Sequence, residues 1–352
     1  MLVDCGATSP SPATVPYLVD PKPDGHRRPG EWIARYVSRH MAAARRKELD
    51  YFLLTHFHDD HMGKFSADLP MSKFGDYRLT GIADFAETVP VGTVIDRAWP
   101  DYNYPAPIHD PHSDNYQAFA RSALHKMERL RVGAGNQMRL LAKPESYPDF
   151  EIRNLAANGE VWTGVGETTR QFFPDTKLLA PAQLPTENMC SIAVRLSYGK
   201  FDYFTGGDMS NDTSYGRASW RDIESPVARV AGPVDVAVAN HHGYQDAVGA
   251  EFVAALRPRV FVINGWDSSH PSSVALSNML SLELYEGDRD VFSTAVKPET
   301  KIAIRRMSEL KSSDGHIVVR VPPPGTHFQV LVTTNANESD NVVAAFGPYT
   351  CT

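Results

Sequence analysis

Cysteine is scarce in this chain: Cys5, Cys190 and Cys351 are the three in 352 residues, and no two form a CxxC pair. That excludes a thiolate zinc site of the finger type and a thioredoxin-type motif, and the odd number cannot complete a disulfide framework. No run of about 18 apolar residues occurs, so no membrane-spanning helix is expected. The opening MLVDCGATSPSP has neither the charged start nor the long apolar stretch of a secretion signal. Positive charge is in deficit, with 35 Lys and Arg against 42 Asp and Glu and a net charge of -7. This balance gives no global attraction to nucleic acid or to an anionic membrane. The local basic cluster Arg45, Arg46 and Lys47 reads as a solvated helix end. A P-loop is also missing: GVGETT (164–169) lacks the lysine, and GAGN (133–136) reads as a plain turn.

What is present suits an ordinary globular protein, with 42% hydrophobic and 22% charged residues. A single domain over 1–352 is expected, with its least regular part, 64–185, read as an insertion shaping the substrate side. Residues 10–30 read as a loop. Trp32, Ile33, Tyr36, Val37 and Met41 fall at helical spacing behind a proline, which predicts a helix within 29–49. DYFLLT (50–55) is apolar enough for a buried strand. TVIDRAW (93–99) reads as a strand, 100–113 as a proline-rich loop, and 114–132 as a helix capped by Asp114. SIAVRLS and FDYFTG flank YGK, a hairpin by turn chemistry. VDVAVAN, AEFVAALRP, RVFVING and PSSVALSNMLS then alternate strand and helix, which implies α/β layers. A second hairpin, 316–334, is expected near the C-terminus.

Polar residues gather where these strands end. THFHDDH places His56, His58, Asp59, Asp60 and His61 within six residues of a buried strand. Imidazoles and carboxylates at such spacing are ligands for Zn²⁺, Mn²⁺ or Fe²⁺. YFTGGDM leaves a strand at Asp208, VAVANHHGY at His241 and His242, and VFVINGWDSSHPSS reaches His270. In layered α/β proteins, sites are built at strand ends.

The order HxHxDH, strand-end GD, HHG and a strand followed by His-Pro resembles the metallo-β-lactamase fold superfamily. Within it the chain is similar to the soluble domain of ComEC/Rec2-type competence proteins and their stand-alone relatives. The resemblance runs through residues 1–6, 50–63 and 188–285. It implies an αββα sandwich with a dinuclear metal site at the sheet edge, holding two divalent ions, zinc ahead of manganese or iron. Carried over by position, His56 and His58 bind the first metal, Asp60 and His61 the second, Asp208 bridges both, and His270 completes the second site. LVDCG resembles the superfamily's first motif, with Asp4 supporting the metal loop from behind.

The chain departs from the pattern in two places. Many members carry a further histidine in a GHT-like turn, which is missing here. His109 and His112 lie between the motifs but read as surface groups. Competence-type relatives also lack that histidine and show an Asn-x-x-Ser segment, as in ENMCS (187–191). The first metal is then weakly held, or His242 supplies the missing ligand. The chain also starts almost inside the first motif, as expected of a start internal to a longer product or of an incomplete sandwich. The compartment is not encoded; a soluble protein, cytoplasmic or exported, is expected.

The chemistry implied is hydrolysis by a metal-bridging hydroxide. Asp60 is expected to orient the hydroxide as well as to bind metal, and His242 to protonate the leaving group. The competence-type resemblance implies phosphodiester cleavage. The net charge favours a small diester or a single strand over tight binding of duplex DNA. A lactonase or β-lactamase acting on a carbonyl is the alternative enzyme, and a non-catalytic metal-binding module the alternative from another class. Trp99, Tyr102, Tyr104 and Tyr116 are placed either along an apolar substrate wall or in the core, with Trp99 assigned to the core.

Overall fold

A computed structural model describes residues 1–6 and 15–352 of the chain. The first sheet is parallel throughout, in the order β1 (Leu2–Val3), β2 (Leu49–Leu53), β3 (Val91–Asp96), β4 (Lys126–Arg129). The second sheet has eight strands. From one edge to the centre run β5 (Glu151–Ala157), β6 (Glu160–Trp162), β7 (Thr169–Gln171), β8 (Ala193–Tyr198) and β9 (Phe201–Thr205), paired antiparallel in the order β7-β6-β5-β8-β9. From β9 the sheet continues in parallel through β10 (Val236–Val238), β11 (Val260–Ile263) and β12 (Asp290–Ser293). A third, antiparallel sheet comprises β13 (His316–Arg320), β14 (His327–Thr333) and β15 (Val342–Thr350). The protein is thus mixed α/β, with one parallel, one mixed and one antiparallel sheet.

Helices α1 (Pro29–Ala43), α2 (Asp59–Met62), α3 (Gly81–Ala86) and α4 (Pro111–Ala120) belong to the first half of the chain. Helices α5 (Glu224–Ala231), α6 (Ala250–Leu256), α7 (Ser273–Met279) and α8 (Pro298–Ala303) belong to the second. Among the described residues, no helix is long and apolar enough to cross a membrane.

The apolar strand runs follow from burial on both faces, where side chains alternate with a period of two. In β2, Phe52 joins a cluster with Ala34 of α1 and Ile82 of α3, while its neighbour Leu53 joins Ile152 and Val194 of the second sheet. In β11, Phe261 and Ile263 pack with Val227 of α5 and Phe252 of α6, while Val260 and Val262 pack with Phe328 and Val330 of the third sheet. Each such side chain removed from water contributes about 1.5–3 kcal/mol.

Several expectations change at their edges. The helix expected at 114–132 is α4, which begins earlier and ends at Ala120. Its cap is Asp110, not Asp114: Asp110 accepts from the His112 and Ser113 backbone N–H groups, and Pro111 fills the first helical position, where no N–H is needed. The rest of that stretch turns and then enters β4, drawn into the sheet by parallel pairing of Lys126–Arg129 with Thr93–Asp96. The C-terminal hairpin gains a third strand, β15. Segment 64–185 is part of both sheets, supplying β3, β4, β5, β6 and β7. Of the loop expected at 10–30, residues 10–14 lie outside the described residues. Tyr102 and Tyr116 are core residues whose hydroxyls donate to buried Asp96. Trp99 packs against the same cluster, and Tyr104 against the cluster beneath α5 and α6. All three cysteines are buried and free.

Candidate metal centre

Two sheets meet at one group of polar side chains. From the first sheet, β2 runs out into Thr55–His58 and then α2, whose first residues are Asp59 and Asp60. From the second, β9 leads to Asp208, and β10 leads through Asn240 to His241 and His242. Close approach of the backbones is built into two glycines. A Cβ on Gly6 would stand 1.5 Å from the Asp60 carbonyl oxygen. Gly207, at φ +57°, brings the Asp208 loop against Thr55, where a Cβ would meet the side chain at 2.8 Å.

The side chains converge on Asp208, which is 2% exposed. Asp208 Oδ1 lies 3.1 Å from His61 Nε2, and Oδ2 lies 3.5 Å from His242 Nε2 and 3.7 Å from His56 Nε2. Asp60 Oδ2 stands 3.1 Å from His242 Nε2 and 3.6 Å from His61 Nε2. Two groups able to hold a metal ion result, each with its ligand atoms within 4.8 Å of one another: Asp60, His61, Asp208 and His242, and His56, His58 and Asp208. Asp208 is common to both.

The imidazoles are anchored from behind. His61 Nδ1 lies 2.7 Å from Asp4 Oδ2, and Asp4 also accepts from the Thr55 backbone N–H at 2.8 Å and its hydroxyl at 2.9 Å. His242 Nδ1 donates to the Asn264 carbonyl at 2.8 Å. His56 Nδ1 lies 3.1 Å from the Thr55 hydroxyl. Each anchor turns the other ring nitrogen inward. There nitrogens face nitrogens: His61 Nε2 is 3.3 Å from His242 Nε2, and His56 Nε2 is 3.2 Å from His58 Nδ1. A cation placed between such facing nitrogens satisfies both lone pairs at once. The donor set of imidazole and carboxylate therefore fits a divalent metal.

Charge follows the same geometry. Burial pulls the His56 imidazole well below its ordinary value, and neighbouring His61 adds to this. Burial also opposes charge on His61 and His242, but Asp208 outweighs it, holding His61 well above the usual range and pushing His242 up to about 9. Asp60 and Asp208 run against their own burial and sit below the usual carboxylate range, Asp60 through its His242 contact and Asp208 chiefly through the charge of His61.

The site residues inferred from sequence divide accordingly. His56, His58, Asp60, His61 and Asp208 come together. His270 lies in neither group: its ring stacks on His242 at 4.9 Å and 30°, and its Nδ1 is buried without a hydrogen-bond partner. His242, rather than His270, stands in the group with Asp60, His61 and Asp208. His242 was expected as the leaving-group acid or as a ligand of the first metal; its Nδ1 faces the Asn264 carbonyl and its Nε2 faces Asp60 and the shared Asp208. His109 is exposed beside Asp114, His112 Nδ1 accepts from the Phe65 backbone, and neither is in either group.

Sequence reasoning placed His241 at a strand end but gave it no role. Its Nδ1 lies 2.6 Å from Asp246 Oδ1, and its Nε2 lies 3.2 Å from Asn188 Nδ2 and 3.8 Å from Asp208 Oδ2. Both His241 (φ 46°) and His242 (φ 54°) hold the left-handed backbone, uncommon for residues with a Cβ and concentrated at functional sites. The doubled histidine was the available signal. Glu187, beside Asn188, accepts from the Phe57 backbone N–H at 2.8 Å and pairs with buried Arg97, which holds the His56–His58 turn in place. Exposed His58 and part-exposed His241 leave the centre open on one side. In comparisons with known proteins, no family model and no curated protein matches the chain.

Proposed function

We propose that the protein is a metal-dependent hydrolase of the metallo-β-lactamase type, acting on phosphodiesters. The observation that carries this reading is the convergence of His56, His58, His61 and His242 with Asp60 around one shared carboxylate, Asp208. The clusters of apolar side chains support an αββα reading. Helices α1 and α3 lie behind the first sheet, α5 and α6 behind the second, and Leu53, Ile95, Ile152 and Val194 lie between the sheets.

His56, His58 and Asp208 would hold one divalent ion, and Asp60, His61, Asp208 and His242 a second, zinc being the ion this nitrogen-rich set suits best. A pair of such ions supplies an activated water nucleophile and charge stabilisation at the substrate oxygens. Asp4 and the Asn264 carbonyl keep the imidazole rings of His61 and His242 turned toward that centre. Asp60 accepts from whatever proton-bearing group stands against it, as its Oδ2 faces His242 Nε2 at 3.1 Å. His241 is the proton donor for the leaving oxygen. Asp246 accepts from Nδ1 and, with the charge of Asp208, raises the imidazole above its ordinary value, so that the protonated ring also carries a proton on Nε2, the nitrogen on the open side beside Asp208. An alkoxide leaving group needs such a proton, which favours a diester over a strained lactam or lactone.

Elemental analysis after dialysis, with a panel of bis(p-nitrophenyl) phosphate, single-stranded DNA, a homoserine lactone and a cephalosporin, tests the reading. Close to two ions per chain, and turnover of the diesters above the carbonyl substrates, are expected. Turnover of the lactone or cephalosporin alone would replace the substrate class. Bound metal without any turnover would favour a binding module.

A further inference from the structure

Behind the metal centre lies a carboxylate that none of the chemistry above uses. Glu224, the first residue of α5, is 0% exposed. Its Oε1 accepts from Asn240 Nδ2 at 3.0 Å and from the Val248 backbone N–H at 2.7 Å. Its Oε2 accepts from Asn211 Nδ2 at 2.8 Å and from the Gly249 backbone N–H at 2.8 Å. The four donors are neutral, and a carboxylate can take all four because its two oxygens offer about four acceptor positions and no donor.

Each donor sits on a segment that carries a residue of the centre. Asn240 immediately precedes His241 and His242. Val248 and Gly249 close the loop that carries Asp246, the partner of His241. Asn211 follows Asp208 by three residues, and its own backbone N–H donates to the Asp246 carbonyl at 2.7 Å. The Glu224 N–H reaches back to the Ser210 carbonyl at 3.4 Å. One buried side chain thus ties the loop after β9 to the loop after β10.

We propose that Glu224 is a positioning residue that sets the spacing between Asp208 and the His241–His242 pair, and thereby the affinity of the centre for metal. This rests on the metal-centre reading. Glutamine at 224 would keep the size but turn an NH₂ group toward two of the donors. The asparagine amides can rotate to answer it; the Val248 and Gly249 backbone groups cannot.

The test compares Glu224→Gln with Asp235→Asn in the full chain. Asp235 is a second buried carboxylate, 1% exposed, just before β10 at the end away from the centre, where it accepts from the Asp202 and Thr352 N–H groups. Zinc affinity is measured by competition with a chromogenic chelator, and the imidazole signals of the metal-free proteins by NMR. Glu224→Gln should lower zinc affinity by roughly 10–100-fold and move the His241 and His242 signals while those of His56 and His58 hold. Asp235→Asn should keep wild-type affinity. If Glu224→Gln does not fold, Asn211→Ala, which removes one donor and leaves the carboxylate, should lower affinity by roughly tenfold. Wild-type affinity with unmoved signals would overturn the inference, as would an equal loss in Asp235→Asn. Moved signals in a wild-type background that takes up no zinc would overturn the metal-centre reading and leave the clamp standing.

Discussion

The two sheets reach the centre by different routes. The parallel sheet delivers His56, His58, Asp60 and His61 from one short turn after β2, braced by Asp4. The eight-stranded sheet delivers Asp208 from the end of β9 and His241 and His242 from the end of β10, braced by Glu224 and Asn264. In the first case local sequence spacing sets ligand geometry. In the second, geometry depends on the register of neighbouring parallel strands and on the loops that follow them. The contributions therefore break differently.

The largest effect is expected where the routes meet. Asp208→Ala should take metal content from about two ions per chain to near zero and abolish diester cleavage, because the one carboxylate serves both groups. Retention of a single ion, read by elemental analysis, would show that the parallel sheet's turn is a sufficient site by itself. Next come the braces. Asp4→Ala should weaken zinc binding by about 10–100-fold through loss of the His61 anchor. Asp246→Ala should leave metal content unchanged and slow cleavage of alkyl diesters by about 10²-fold or more, with a smaller loss on p-nitrophenyl esters. Equal losses on both esters would remove His241 from the role of proton donor.

A pH series sharpens the comparison further. His242, on the eight-stranded side, holds its proton up to about pH 9 in the metal-free form. His61 in the same group is raised as well, so zinc must displace both imidazole protons, and affinity should rise by about a hundredfold per pH unit up to about pH 9. The sign for stability is opposite. A raised imidazole contributes fully below its unfolded value near 6.5 and loses its contribution as pH rises through 9, so the chelated protein should melt at lower temperature at pH 10 than at pH 8. Asp60 and Asp208 are depressed, and their contribution is lost on acidification below the ordinary range of about pH 4. The smallest effect is expected away from both routes. His109→Ala should leave metal content unchanged and shift stability by less than about 0.5 kcal/mol, as for other exposed positions.

This difference in route also decides what could be read from the sequence. THFHDDH is contiguous, so its ligand character shows in the residues themselves. Asp208 was legible because a carboxylate follows directly on a β-strand pattern. His242 and His270 both follow strands, and spacing alone cannot say which ring joins the Asp60 group; His242 does so from a left-handed turn, and no simple period encodes such a turn. The fold was clearest where strands are buried on both faces, as in β2 and β11. It was least clear at short strands such as β4 and β7, where few apolar residues mark the pairing, and at β15, where glycine and proline interrupt an apolar run. The Asp110 cap was missed because Asp114 lies nearer the apolar run, although the Asp-Pro pair is the better helix start.

The left-handed backbone at His241 and His242 also bears on how the protein would respond to laboratory evolution. Glycine adopts that conformation without the crowding a Cβ brings. A library screened for heat resistance in a chelating buffer should therefore enrich glycine at both positions, trading the doubled histidine for a relaxed turn. The same library screened with zinc present should keep His242 and tolerate change at 241 more readily. Which of the two outcomes a population reaches would report what had been selected, the scaffold or its chemistry.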